Sequence, residues 1–102
     1  MSIYAESAAK VVGSNVVVTT AGTQVQITAT PTPCVWVKVT AAPANTAGIV
    51  VGDSSVDATG DAETGITIAK GTTETFFVKD ASELWIDAPT SGDECAVLIG
   101  KV

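Results

Sequence analysis

The chain has 102 residues, of which 46% are apolar and 16% are charged, and this is the composition of one folded domain. Eleven acidic residues and five lysines give a net charge of −6, and the sequence contains no arginine and no histidine. Those absences remove the imidazole base, the histidine-ligated zinc site and the arginine fork that binds phosphate. An acidic surplus also repels a nucleic-acid backbone. We therefore expect neither an enzyme nor a nucleic-acid-binding protein. The sequence also has no run of about 20 apolar residues, the length that a membrane-spanning helix needs, so we expect no membrane partner.

The first fifteen residues mix alanine, serine, glycine and isolated charges without a strand or helix period, so we predict an N-terminal arm over residues 1–15. They lack the basic start and the uninterrupted apolar run of a signal peptide, which favours synthesis in the cytoplasm. Residues 16–102 are predicted to form one β-rich domain, because β-branched residues dominate them and turn residues recur at short intervals.

Short apolar or alternating segments between turn residues predict seven or eight strands in chain order. They are Val16–Thr20, Gln24–Thr30, Cys34–Ala41, Gly48–Gly52, Ile66–Lys70, Glu74–Lys79, Glu83–Ala88 and Cys95–Lys101. The first two are predicted to form a hairpin around the turn at Ala21–Thr23. So many short strands without a convincing helix predict an all-β fold, an antiparallel β-sandwich or jelly roll with an N-terminal arm.

The longest predicted loop, residues 53–65, carries the carboxylates that come nearest to a metal site. They are Asp53, Asp57, Asp61 and Glu63. Calcium prefers oxygen ligands from such loops, but the spacing is not that of an EF-hand. We therefore interpret the loop as a solvated segment and expect no metal and no cofactor.

Two further kinds of chemistry are weakly represented. Asp87 beside Trp85 is the best candidate for one carboxylate of a glycoside hydrolase, but nothing marks a second carboxylate across a cleft. The two cysteines, Cys34 and Cys95, have no CxxC spacing. We interpret them as small buried apolar side chains, and the sequence leaves a disulfide between them open.

The aromatic residues are more informative, because period two places them on the strand faces that carry charge. Trp36 shares its face with Lys38, and Trp85 shares its face with Asp87. Phe77 likewise shares its strand face with polar side chains, those of Thr75 and Lys79. One interpretation is that these rings fill a second core or lie under the loop or the arm. We favour the other, in which they contact another subunit.

The chain also carries three segments of a distinctive kind, CVWVKVTAAPANTAGIVVGDSSV, GITIAKGTTETFFVKDASELWIDA and SGDECAVLIG. Together they resemble small β-sandwich virion proteins of tailed bacteriophages, in particular those that decorate or cement the head. The resemblance begins at Cys34 and covers about two-thirds of the chain. It implies a homotrimer on the capsid surface of the virion, with the major capsid protein as its partner and without catalytic residues.

On that resemblance, the expected function is a non-enzymatic structural one, in which many weak contacts lock neighbouring shell subunits together. The residues expected at subunit or shell contacts are Trp36, Phe77 and Trp85, with Ile3 and Tyr4 anchoring the arm. The alternative is a host-recognition, carbohydrate-binding module of a tail or fibre, in which exposed tryptophans stack on sugar rings and the acidic loop of residues 53–65 holds calcium.

Overall fold

Eight strands and one 3-10 turn form along residues 8–59 and 64–102, which are the residues that the computed structural model describes. The strands are β1 Lys10–Val17, β2 Val25–Gln26, β3 Cys34–Ala41, β4 Ile49–Gly52, β5 Ile66–Ile68, β6 Thr73–Phe76, β7 Trp85–Asp87 and β8 Glu94–Lys101, and the turn is Ala81–Glu83. None of the described residues forms a helix long and apolar enough to cross a membrane.

The strands form two four-stranded antiparallel sheets. Sheet A has the order β1-β8-β3-β6 and sheet B has the order β2-β7-β4-β5. Strand β1 pairs with β8, β2 with β7, β3 with β6, and β4 with β5, so the chain is one long antiparallel ribbon wound into two layers. This winding is the jelly-roll form of the sandwich. The prediction of an all-β antiparallel sandwich is therefore confirmed.

The core lies between the two sheets and follows the period-two pattern of the strands. In sheet A, Val37 and Val39 of β3 face the core beside Val97 of β8, and in sheet B Ile49 and Ile86 meet them. All five side chains are buried. Burial of a side chain of this size contributes roughly 1.5–3 kcal/mol, so these β-branched residues hold the two layers together.

The predicted arm differs from the structure at its C-terminal end. Residues 10–15 are the first six of β1, which pairs with β8 in continuous register from Lys10 opposite Lys101 to Val17 opposite Glu94. The prediction of an arm was therefore wrong for these residues. Gly13, Ser14 and Asn15 interrupt the apolar alternation, and the pairing partner lies at the other end of the chain. Residues 1–7 lie outside the described residues.

The predicted hairpin between the first two strands is also wrong. β1 belongs to sheet A and β2 to sheet B, so they do not pair. Between them the chain crosses from one layer to the other, and Val18 is buried at the crossing with its N–H donated to the carbonyl oxygen of Asp93. Turn residues at 21–23 therefore mark a change of sheet rather than a hairpin.

Aspartate side chains organise the connections between strands. Asp80 caps the 3-10 turn by accepting hydrogen bonds from the backbone N–H of Ser82 and, across the fold, of Thr32. These donors lower the pKa of the Asp80 carboxyl, because they stabilise its charged form. Asp93 is buried and accepts the N–H groups of Thr46 and Ala47, which fixes the turn before β4.

Candidate docking surface

The outer face of sheet A is a surface rich in exposed apolar and threonine side chains, which we call the docking face. Alternation and register place on it Val11, Gly13, Asn15 and Val17 of β1, Glu94, Ala96, Leu98 and Gly100 of β8, Trp36, Lys38 and Thr40 of β3, and Thr73 and Thr75 of β6. Phe77 follows β6 at its rim and is 64% exposed. No second layer of described residues covers this face.

Trp36 forms the flattest part of the docking face, because it packs over a glycine. Gly100 is its cross-strand neighbour, and a Cβ atom placed on Gly100 would lie 2.7 Å from both Cδ2 and Cζ2 of the indole. The indole therefore occupies the space that any other residue at position 100 would need. The Nζ atom of Lys38 lies 5.5 Å from the centre of the ring, a distance at which a cation–π attraction acts.

Two shallow depressions flank Lys38 on the docking face. One, of about 260 Å³, is lined by Trp36, Lys38, Thr75 and Phe77. The other, of about 360 Å³, lies towards β1 and includes Leu98 in its lining. An aromatic wall with an ammonium and a hydroxyl beside it can bind an apolar side chain or a sugar ring and can also supply hydrogen bonds.

The docking face is close to electrically neutral although the chain is not. Lys38 and Glu94 are the charged side chains that the register places on it, and Glu94 accepts a hydrogen bond from Asn15 at its edge. The acidic surplus of the chain therefore lies mainly elsewhere. A face depleted of charge and containing aromatic residues has the composition typical of an interface core.

Trp85 has a different environment from Trp36. It is half-buried on the outer side of sheet B, where it packs against Val50, Val56 and Ala58. The segment after β4 folds over this side of the sheet and forms a second small core. This arrangement agrees with the interpretation in which an aromatic ring fills a second core or lies under a loop. The role of Trp85 at a subunit or shell contact stays a prediction.

Asp87 is fully buried beneath the same segment, with an exposed fraction of 0%. Its Oδ1 accepts the backbone N–H groups of Gly22 and Ala88 at 3.0 and 2.8 Å, and its Oδ2 accepts that of Ala58 at 2.8 Å. Both carboxylate oxygens thus tie loops to sheet B. Asp87 lies beyond the reach of a substrate in this arrangement, so its role here is structural.

The remaining predicted site residues lie partly outside the described residues. This applies to Ile3 and Tyr4 of the arm and to Asp61 and Glu63 of the acidic loop. Asp53 accepts hydrogen bonds from the backbone and hydroxyl of Ser55, and these bonds lower the pKa of its carboxyl. Within the described ranges, no three cysteine or acidic side chains are grouped as a metal would require.

The two cysteines are free and buried at opposite ends of the β3–β8 pair. In the register of this pair Cys34 lies opposite Lys101, whereas Cys95 lies opposite Ala41. The two cysteines are therefore about 20 Å apart along the strands at the usual rise per residue. A disulfide requires Cα atoms less than about 7 Å apart. The structure therefore leaves no disulfide within one protomer.

Both thiols are expected to resist alkylation and disulfide exchange while the protein is folded. Burial raises the pKa of Cys34, and it raises the pKa of Cys95 to about 12. Only the thiolate reacts, so about one Cys95 side chain in 10⁵ is reactive at pH 7. Titration with a chromogenic disulfide should detect no fast thiol in the native protein and two after unfolding. A native thiol that reacts at the rate of free cysteine would contradict this.

Sequence reasoning identified Trp36, Lys38 and Phe77 on this face but missed the neighbours that complete it. The sequence did not indicate Gly100, because its importance depends on a cross-strand partner far away in the chain.

A second feature that the sequence did not predict is a groove of about 420 Å³ between the sheets. Its lining includes Val51, Ile66, Phe76 and Leu84.

Comparisons with family models, with curated proteins and with solved structures found no match to this chain.

Proposed function

We propose that this chain is a non-enzymatic structural protein of a bacteriophage virion that decorates the head and binds its shell through the docking face. The observation that carries the proposal is an exposed, nearly neutral sheet face containing Trp36, Leu98 and Phe77 on a small rigid sandwich. Apolar side chains held on a sheet lose little entropy when they bind, because the backbone is already ordered. The resemblance of residues 34–102 to phage decoration proteins supports the same function.

The partner in this proposal is the major capsid protein, and each shell site requires only modest affinity. Contacts repeated over a whole capsid add up, since every bound copy bridges neighbouring shell subunits and so raises the resistance of the shell to internal pressure. The homotrimer implied by the resemblance would add further contacts per bound particle. Jelly rolls serve both capsid proteins and lectins, so the fold by itself does not choose between these functions.

The test uses heads of the phage that carries this chain, stripped of it and then titrated with the purified protein. Phe77→Ser removes the most exposed aromatic ring of the face, and we expect at least a tenfold loss of affinity, or about 1.4 kcal/mol. Ile66→Ser is the matched control, because Ile66 is similarly exposed but belongs to sheet B. Equal binding by the wild type and Phe77→Ser would contradict the proposal, and so would an equal loss in the control.

A second function is favoured by the depression beside Trp36. The Trp36 indole lies over Gly100, the Lys38 ammonium lies over the ring 5.5 Å from its centre, and Thr75 and Phe77 line the same depression. A sugar ring that displaces the Lys38 side chain can stack on the indole while the polar groups bind its hydroxyls. This would make the chain a host-recognition module of a tail or fibre. Calorimetry with surface polysaccharide of the host, in the absence of heads and with and without a calcium chelator, distinguishes it from the shell-binding function.

A further inference from the structure

The four strands at the edges of the two sheets differ sharply in length. β2, β5 and β6 have two, three and four residues, whereas β1 has eight. An edge strand presents unpaired N–H and C=O groups that can pair with another strand, and proteins usually keep such edges short for that reason. β1 is therefore the one long edge among the described strands.

β1 also lacks the features that normally prevent edge pairing. Its register with β8 runs without a bulge, it contains no proline, and its only charged residue is Lys10 at the first position. Val11 and Val17 on the docking face are 55% and 39% exposed, and Val12 on the other face is 41% exposed. The strand thus offers valine side chains on both of its faces, as well as a backbone edge that no other described strand pairs with.

We propose that β1 pairs in antiparallel fashion with β1 of a second copy of this chain, around a two-fold axis through Ser14. Odd-numbered residues of β1 lie on one face of the sheet and even-numbered residues on the other. Side chains directly opposite each other in a sheet lie on the same face, so in a symmetric pair odd residues must oppose odd ones and even residues must oppose even ones. Centring the axis on Ser14 places Val11 opposite Val17 of the partner subunit and Val12 opposite Val16 of the partner subunit. The neighbouring register, centred on Gly13, would instead place Val11 opposite Asn15 of the partner subunit.

A second copy fits this edge better than an unrelated strand, because the sequence of β1 is complementary to itself in that register. Cross-strand pairs of β-branched residues stabilise a sheet, and here they occur on both faces at both ends of the pair. Each copy carries −6 charges, but β1 has no acidic residue, so the two chains approach through a segment free of negative charge. The two Lys10 side chains lie at opposite ends of the joint.

The proposal goes beyond the proposed function and does not depend on it. Pairing around this axis extends sheet A to eight strands and places both docking faces on the same side. Whatever binds one docking face then meets two, and the second contact benefits from a high effective concentration. The pairing predicts particles with an even number of chains, whereas the phage resemblance implies three.

The test measures particle mass by sedimentation equilibrium at increasing concentration, with two double variants that differ at one residue. V11K/V17K places lysine opposite lysine at both ends of the joint and should give monomers at every concentration. V11E/V17K places glutamate opposite lysine and should restore the pair. Net charge alone predicts the reverse order, because V11K/V17K carries −4 and V11E/V17K keeps −6. Both positions are exposed in the protomer, and circular dichroism checks that both variants fold.

A cysteine scan tests the register independently. Ser14→Cys should cross-link two chains under mild oxidation, because residues opposite each other in an antiparallel pair have Cα atoms about 4.5–5.5 Å apart, within disulfide range. Asn15→Cys is the control, since in this register two such residues sit about 8 Å apart, beyond that range. The native cysteines are buried and should not contribute.

The proposal would be overturned if the wild-type protein stayed monomeric up to about 1 mM. At that protein concentration, half of the chains would be paired even if the dissociation constant of the dimer were as weak as about 1 mM. So would a trimer whose mass both double variants leave unchanged. Shell binding by Phe77→Ser is measured separately, so failure of the edge pairing and failure of the docking face give different results.

Discussion

Replacing Asp87 with alanine is expected to lower the free energy of unfolding by about 3–5 kcal/mol, the largest effect of any single substitution considered for this protein. The side chain accepts three backbone N–H groups, from Gly22, Ala58 and Ala88, in a place with no exposure to solvent. Each buried donor left without a partner costs about 1–3 kcal/mol, and partial entry of water reduces the sum. Urea denaturation followed by tryptophan fluorescence measures the change.

Two further variants identify the cause of this effect. One keeps the side-chain volume and changes the hydrogen bonds, and the other removes an aspartate that is exposed. Asp87→Asn keeps the shape but turns one accepting oxygen into a donor, so it should cost less than alanine and more than 1 kcal/mol. Asp53→Ala removes an aspartate that also caps a turn but is exposed, and it should cost less than either. If Asp87→Ala and Asp53→Ala proved equally destabilising, the assignment of Asp87 as the residue that ties the loops to sheet B would be wrong.

Gly100→Ala is expected to have the second-largest effect, because a methyl group at this position meets the indole of Trp36. The new Cβ atom would lie 2.7 Å from Cδ2 and Cζ2, so the ring must leave the sheet surface. Overpacking of this kind costs about 1–3 kcal/mol. We also expect lost shell binding, since the displaced indole no longer forms the flat part of the docking face.

A double-mutant cycle with Trp36→Ala identifies the cause. Once the indole is removed, Gly100→Ala should become nearly neutral, which gives a coupling energy close to the full cost of the single substitution. Gly13→Ala is the matched control on the same face, because its nearest neighbours would lie 3.9 Å away and the change should be tolerated. A Gly100→Ala penalty that persists without Trp36 would place its origin in the backbone instead.

These substitutions connect stability to the proposed function. Asp87 fixes the segment that packs over sheet B, whereas no layer of residues 8–59 or 64–102 packs over the outer face of sheet A. Gly100 then allows Trp36 to lie flat on that face. Edge pairing through β1 would join two such faces, so a protein of modest size could present a broad apolar surface without a large core of its own.

Much of the fold follows from local patterns in the sequence. Alternating valines predict Cys34–Ala41, and β3 has those bounds. The predicted segments Gly48–Gly52 and Cys95–Lys101 each agree with β4 and β8 to within one residue. The predicted loop at residues 53–65 lies between the end of β4 at Gly52 and the start of β5 at Ile66. Period two reports the two faces of a strand because neighbouring side chains point in opposite directions.

What the sequence determined by itself is the all-β class, the positions of most strands after β2 and the alternation that places Trp36 away from the main core. The tertiary structure decided which strands pair, because β1 and β8 come from opposite ends of the chain and no local signal links them. It also decided that the segment after β4 packs on Trp85, whereas no described segment covers the face around Trp36. Alternation distinguishes two faces of a sheet, but only the packing of distant segments determines which of them is covered.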